Sequence, residues 1–505
     1  MVEGTGEERV AQPELRTPEI GSKGLKGGAL GFVSNVVIGV ASTAPGYSLA
    51  ATLGFVAAAV GLQSPAVLWL AFIPMLFIAA SYYYMNKADP DCGTSFTWVT
   101  RAMGPHLGWI TGWAIVVADV IVMANLAQIA GLYTFLLFGL KGLANSTLAV
   151  TAVGVVWIAL MTYICYRGIE LSARTQVFLL AAELVTLTVF AVVALFKVFA
   201  GEAGAGALTP SISWINPFEI KSFSALDAGL ILAIFIYWGW DSTVTVNEES
   251  ENSSHTPGVA AIVSTIVLLL IYVIVGIAAQ AYGGVDYLVR HEDDVLSTLG
   301  TQVFGSPLDK ILILAVLSSA AASTQTTILP TARTTFSMAH HRAMPEAFGR
   351  VHPRYLTPHV STLWMGALSI VWYVGMTIVS ENILYDSISA LGLMIAFYYG
   401  LTGFACAIYY RKRLFRSVKN LLLMGIVPVL GGLMLTWAFV EEVINLSNPK
   451  EAYSGAVFGI GVPLFIGIVS FVIGAALMVW AWYAKPAFFR RRPQVADPDD
   501  RQSDR

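Results

Sequence analysis

This sequence predicts an all-α polytopic membrane protein with 12 transmembrane helices, on three observations. Of 505 residues, 56% are apolar (Tyr included) and only 12% are charged, against about 25% charged in an ordinary soluble domain. Twelve segments are long and apolar enough to cross a hydrocarbon core about 30 Å thick. Lys and Arg fall mostly on one side of those segments. So few charges cannot clothe several water-facing domains. A net charge of −3 gives no basic footprint for DNA or RNA, so no nucleic-acid partner is expected.

The segments run at about 28–60, 64–86, 104–139, 147–166, 174–199, 224–248, 257–281, 308–337, 359–379, 386–410, 419–441 and 457–484. The ~10-residue alternating strands of a membrane barrel do not occur. With the N-terminus inside, 23 of the 29 Lys and Arg residues fall on the inner side and 6 on the outer. That asymmetry predicts two cytoplasmic termini in the plasma membrane. Residues 1–27 hold five Glu and four Lys or Arg and no apolar run, so they read as a cytoplasmic tail and not a signal peptide. Residues 485–505 are polar and charged and are expected to be a disordered cytoplasmic tail. Cys92, Cys165 and Cys406 are scattered and odd in number, which predicts neither a disulfide framework nor a structural zinc site. No cofactor and no metal is expected.

Two segments are wrong for simple anchors. Thirty-three helical residues at 28–60 would reach about 50 Å. Their middle, Gly39-Val40-Ala41-Ser42-Thr43-Ala44-Pro45-Gly46, predicts a break, because Pro removes a backbone donor and Gly tolerates non-helical angles. The sixth segment reads Phe235-Ile236-Tyr237-Trp238-Gly239-Trp240-Asp241-Ser242-Thr243, with aromatics around a glycine at mid-membrane depth. Freed backbone groups in lipid are tolerated only where protein encloses them. Broken helices at matching places of two halves point to a transporter's binding site. Segments one and six match if each half holds five, giving repeats at 28–200 and 224–410 and two additional helices at 411–484. The bland reading is that Gly and Pro here serve only helix packing.

These residues resemble a family. Gly239-Trp240-Asp241, followed by Glu248-Glu249 and a polar stretch to Pro257, is similar to the sixth-span signature of the amino acid–polyamine–organocation (APC) superfamily. Pro90 to Pro105 resembles the family's stretch between spans two and three. Arg333 through Met344-Pro345-Glu346-Ala347-Phe348 to Thr357-Pro358 resembles its loop after span eight. The resemblance implies a leucine-transporter-like 5+5 inverted repeat plus two extra helices, with substrate between the unwound parts of spans one and six. It also implies that Gly39-Val40-Ala41 stands for the family's Gly-x-Gly, its second Gly replaced. Phe235 falls where relatives often place an aromatic gate.

Three ionisable residues lie deep in the segments. A charge at the bilayer centre costs about 2.5–3.5 kcal/mol on insertion scales. Glu183 stands where the resemblance puts a Lys in proton-coupled bacterial members. It is expected to carry or gate the coupling proton; a neutral packing acid is the alternative. Asp119 faces either a substrate ammonium or guanidinium or a neighbouring helix. Asp241 follows the second break and is expected to cap the half-helix there. His340, His341, His352 and His359 match no zinc spacing and read as a solvated loop. Glu248, Glu249 and Glu251 read as a helix end at the interface. Ser318, Ser319, Ser323 and Thr324 are either cation ligands or hydroxyls bonded to their own helix.

The reading is a non-enzymatic, secondary-active permease that imports an amino acid or related amine by alternating access, with a proton as coupling ion. Half-helix N-termini with free amides would grip a substrate carboxylate. The substrate-binding residues are Gly39, Val40, Ala41, Ser42, Thr43, Asp119, Phe235, Trp238, Gly239 and Trp240. Residues 235 and 238 share a helical face, which ranks both above Tyr237. Alternatives are a potassium importer of the same superfamily, an amino acid exchanger, a channel (no T-V-G-Y-G string occurs) and an intramembrane enzyme, which has no deep His to serve as base.

Overall fold

A computed structural model describes residues 19–292, 294–379, 383–452 and 454–496. Helices lie on each of the twelve expected segments. In chain order the main helices are α1 (Phe32–Ser42), α2 (Pro45–Val60), α3 (Ser64–Ala88), α4 (Ser95–Met103), α5 (Pro105–Leu137), α6 (Thr147–Arg167), α7 (Ile169–Ala200), α8 (Phe223–Ile236), α9 (Ser242–Thr245), α10 (Thr256–Gly283), α11 (Lys310–His340), α12 (His359–Val379), α13 (Ile383–Tyr409), α14 (Val427–Ser447), α15 (Val462–Ala484) and α16 (Pro486–Phe489), of which α4 and α16 lie outside the expected segments, with further helices in the connections. The protein is an all-α polytopic membrane protein. Among the described residues ten runs are long and apolar enough to cross a membrane, the first of them, Phe32–Ala88, holding α1 to α3. The sixth expected segment is not among the ten, because its break leaves α8 only 14 residues long.

Side-chain spacing explains how each helix is oriented. On α7, Phe178, Val185, Val192 and Phe196 are exposed, while Gln176, Leu180, Glu183, Leu187 and Phe190 are buried. The two sets alternate at helical spacing, so one apolar face meets lipid and the other carries Glu183 inward. Helices α5 and α11 are buried along most of their length and pack on each other at the centre. Around them α3 packs on α10, α6 on α12, α7 on both α10 and α11, and α13 on both α3 and α5.

Residues 19–31, before the first helix, pack onto the bundle. Two two-residue strands, β1 (Glu19–Ile20) and β2 (Lys26–Gly27), pair antiparallel, and Leu25 between them and Leu30 after them are buried. The tail expected to be disordered after Lys485 is packed as far as it is described. Phe488 and Phe489 are buried, Phe488 stacks on Phe96, and the amides of Gln494 and Ala496 donate to the carbonyls of Arg101 and Tyr409. An apolar pair inside a charged tail gives it something to bury. Residues 497–505 and 1–18 lie outside the described residues.

Candidate functional site

The first break falls at Thr43 and Ala44, between α1 and α2. Ala44 takes the left-handed conformation (φ 48°, ψ 64°), and Thr43 and Ala44 donate back to Val40 and Ala41. Pro45 has no N–H to lose and suits the first position of α2. Gly39, Val40 and Ala41, expected at the unwound stretch, are therefore helical; only Ser42 and Thr43 of the five reach the break. Gly39 serves packing instead: a Cβ there would stand 2.5 Å from Ser264 Oγ.

The second break spans Tyr237 to Asp241, between α8 and α9. The two breaks touch. Gly239 has φ 118° and a Cβ on it would sit 2.7 Å from the Ser42 carbonyl oxygen, so only glycine permits this approach. Ser42 Oγ and Ser242 Oγ lie 2.7 Å apart. Carbonyls freed by unwinding find hydroxyl donors: Ser42 O accepts from Ser323 Oγ at 2.9 Å, Thr43 O from Ser48 Oγ at 2.7 Å, and Ile236 O from Tyr272. The enclosure that lipid demands is met by side chains.

The amides at the start of α2, expected to be free, are bound. Gly46 N donates to Glu183 Oε1 at 2.7 Å and Tyr47 N to Ser319 Oγ at 3.2 Å. The inward face of α7 delivers a carboxylate to the positive end of the half-helix, where a negative group is stabilised. The other oxygen, Glu183 Oε2, is buried with no partner. Of the α11 hydroxyls, Ser319 and Ser323 reach the first break, whereas Ser318 and Thr324 bond their own helix.

Asp241 stands at the N-cap position of α9 but its side chain makes no capping hydrogen bond. Its backbone is helical (φ −68°, ψ −15°), not the extended conformation that lets a cap side chain fold back. The carboxylate instead accepts from Tyr399 at 2.8 Å and from Tyr398 and Tyr82 at 3.3 Å each. Asp119 accepts from Thr331 Oγ1 at 2.5 Å. Trp238 Nε1 donates to Tyr398 Oη at 2.5 Å. Trp240 stacks on Tyr399, and Tyr82 meets it edge-on. Tyr237 turns away, donating to Leu68 O on α3. Phe235 is buried at the end of α8. The three tyrosines went unread in the sequence; the Tyr398-Tyr399 doublet at membrane depth is the signal that was there.

A second polar cluster lies where the described segments 19–30 and 486–496 meet the bundle. Lys23 Nζ donates to Asp91 Oδ2 at 2.8 Å and to Glu248 Oε1 at 2.7 Å. His341 Nε2 bonds the same Asp91 oxygen at 2.9 Å, and Arg491 donates to His341. Arg333 grips the buried Glu249 with Nε and Nη2 at 2.7 Å each. Burial alone would push Asp91 up, but the His341 hydrogen bond and the Lys23 charge win and hold its carboxyl well below the usual range. Burial likewise opposes the Lys23 ammonium, and the surrounding negative groups more than offset it. Asp91, Cys92 and Glu248 are spaced for a metal, but the ammonium occupies the position between the two carboxylates that a cation would take. His341 thus belongs to a polar junction, not to a solvated loop, and Glu248 and Glu249, in the short helical turn Asn247–Glu249, are each paired with a basic side chain.

Residues 28–462 match the amino acid permease family. The chain is 21% identical to the low-affinity putrescine importer of Escherichia coli over 82% of its own length and 88% of the relative's. It is 26% identical to an uncharacterized transporter of Mycobacterium tuberculosis over 67% and 72%, and 24% identical to a branched-chain amino acid permease of Bacillus subtilis over 59% and 64%. With the family match covering most of the chain, this membrane protein belongs to the amino acid permeases of the APC superfamily, a family of transporters and not of enzymes.

Proposed function

We propose that the protein is a secondary-active importer of an amino acid or related amine, working by alternating access in the plasma membrane with both termini in the cytoplasm, and that a proton drives it. One observation carries this reading: two helix breaks meet at the centre of the bundle, with Glu183 bound to one of them through Gly46 N at 2.7 Å. The substrate's place is beside Ser42, Thr43, Trp238, Gly239, Trp240 and Asp119. Helix packing supports a five-plus-five repeat of 28–200 and 224–410, followed by the additional pair 411–484. Exchanging each helix for the one five spans away turns α7 on α11 into α13 on α5, and α7 on α10 into α13 on α3; both members of each pair occur. Relatives named for putrescine import and branched-chain amino acid transport support the substrate range.

Glu183 is the coupling group in this account. Its bound oxygen anchors it to α2 and its unpartnered oxygen takes the proton, so protonation acts where the first break hinges. Glu183→Gln keeps an acceptor for Gly46 N and removes the titration. In proteoliposomes it abolishes uptake driven by an inward proton gradient while sparing substrate exchange. PH-driven uptake that matches the wild type overturns the assignment.

A further inference from the structure

A cavity of about 300 Å³ lies between α4, the end of α11 and the chain that follows α15. Its wall holds Thr97, Thr100, Arg101, His341, Arg491 and Arg492, and among the described residues no carboxylate lines it. The arginines are positioned by packing and backbone bonds. Gln494 N donates to the Arg101 carbonyl at 2.6 Å, buried Phe488 stacks on Phe96, and the Arg491 guanidinium lies 5.4 Å from the Phe488 ring. Their charges are only partly met. Arg101 gives one nitrogen to Asp89 at 3.0 Å. Arg491 donates to His341 Nδ1 at 2.9 Å and to the His341 carbonyl at 3.1 Å. A guanidinium only donates, so that ring nitrogen accepts and brings no negative charge. Arg492 has no ion pair among the described residues, and the nearby Asp91 is already bonded to Lys23 and His341. Burial and the charges of Arg342 and Arg101 lower the Arg491 guanidinium from its ordinary value, against the opposing charge of Asp91. Guanidinium forks in excess over carboxylates suit a phosphate.

The neighbouring surface fits a lipid. Trp480, Trp482 and Tyr483 are exposed at the end of α15, and aromatics of this kind mark a membrane–water interface. Lys485, Arg490, Arg491 and Arg492 come next in the chain, and a basic cluster directly after a membrane helix attracts anionic headgroups. His106, at the start of α5, packs on both Trp482 and Phe489, so the aromatic belt and the basic segment form one surface. We propose that the cavity binds the phosphate of an anionic phospholipid, with Arg491, Arg492 and Arg101 as its donors, and that the lipid fastens 486–496 to the membrane surface. The transport reading does not depend on this site.

The purified full chain is titrated with phosphatidylglycerol and with phosphatidylcholine, bound lipid being counted by native mass spectrometry, and inorganic phosphate is added as a competitor. Phosphatidylglycerol is expected to bind about tenfold more tightly than phosphatidylcholine. The double variant Arg491→Gln, Arg492→Gln should lose most of that preference. Arg490→Gln, which removes a charge from the same run but not from the cavity wall, should keep it. An equal loss in both proteins would mean diffuse attraction to the basic run and overturns the cavity. Displacement of the lipid by an equal concentration of inorganic phosphate would make a soluble anion the ligand and overturns the lipid assignment. Hydrogen exchange of the unmodified chain in nanodiscs needs no variant to fold: exchange in 486–496 should slow when phosphatidylglycerol replaces phosphatidylcholine. Unchanged exchange there, or equal affinity for the two lipids, overturns the proposal.

Discussion

The bundle treats its buried acids in two ways. Near the segment 19–30, Asp91, Glu248 and Glu249 each have a fixed basic partner: Lys23 and His341 for the first, Lys23 for the second, Arg333 for the third. At the centre, Asp119, Glu183 and Asp241 are bonded by hydroxyls and one amide and by no described basic residue. The difference separates ion pairs that hold helices together from carboxylates held only by neutral donors. A fixed pair satisfies its charge permanently. A carboxylate held only by neutral donors keeps capacity for a proton or an ammonium that comes and goes.

Breaking a fixed pair should produce the largest effect on folding. Arg333→Met strands Glu249 in a site with 0% side-chain exposure, at a cost of about 3–5 kcal/mol. A large fall in melting temperature is expected, and the double variant Arg333→Met, Glu249→Gln should recover most of it. A single variant as stable as wild type would erase the distinction between the two regions.

A smaller effect is expected at the more accessible Lys23. Lys23→Met should loosen the segment 19–30 by on the order of 1 kcal/mol, read as faster hydrogen exchange there with little change elsewhere. The pH dependence has a definite sign. Asp91 is held below its unfolded value near 3.9, so its contribution is fully present above that pH and is lost as the pH falls through the depressed folded value. Protection of 19–30 should therefore persist from neutral pH down to about 4. Loss of protection already at pH 5 to 6 would contradict control by the Lys23–Asp91 pair.

How far the sequence could be read follows from what each feature depends on. Span positions depend on composition along the chain, and helices lie on all twelve segments. The breaks were visible as Gly and Pro, but their register was not. Gly39 looked like a breaker and proved to be a close-packed helical residue, while Ala44, which looks unremarkable, takes the left-handed turn. Asp241 depends on Tyr82, Tyr398 and Tyr399, which lie more than 150 residues away in the chain. The Lys23–Glu248 contact crosses 225 residues. No local pattern encodes such pairings, because they arise only when separate helices pack. Glu183 could be singled out from depth alone, but its contact with Gly46 could not.

The central claim is that the carboxylates around the breaks stay free of fixed counter-ions in order to hold a moving cation. Calorimetric titration of putrescine into the purified protein, repeated in buffers of different ionisation enthalpy, counts the protons exchanged as the ligand binds. The account predicts a measurable proton linkage for the wild type and none for Glu183→Gln, with binding retained in both. Equal linkage in the two proteins, or none in the wild type, would contradict it.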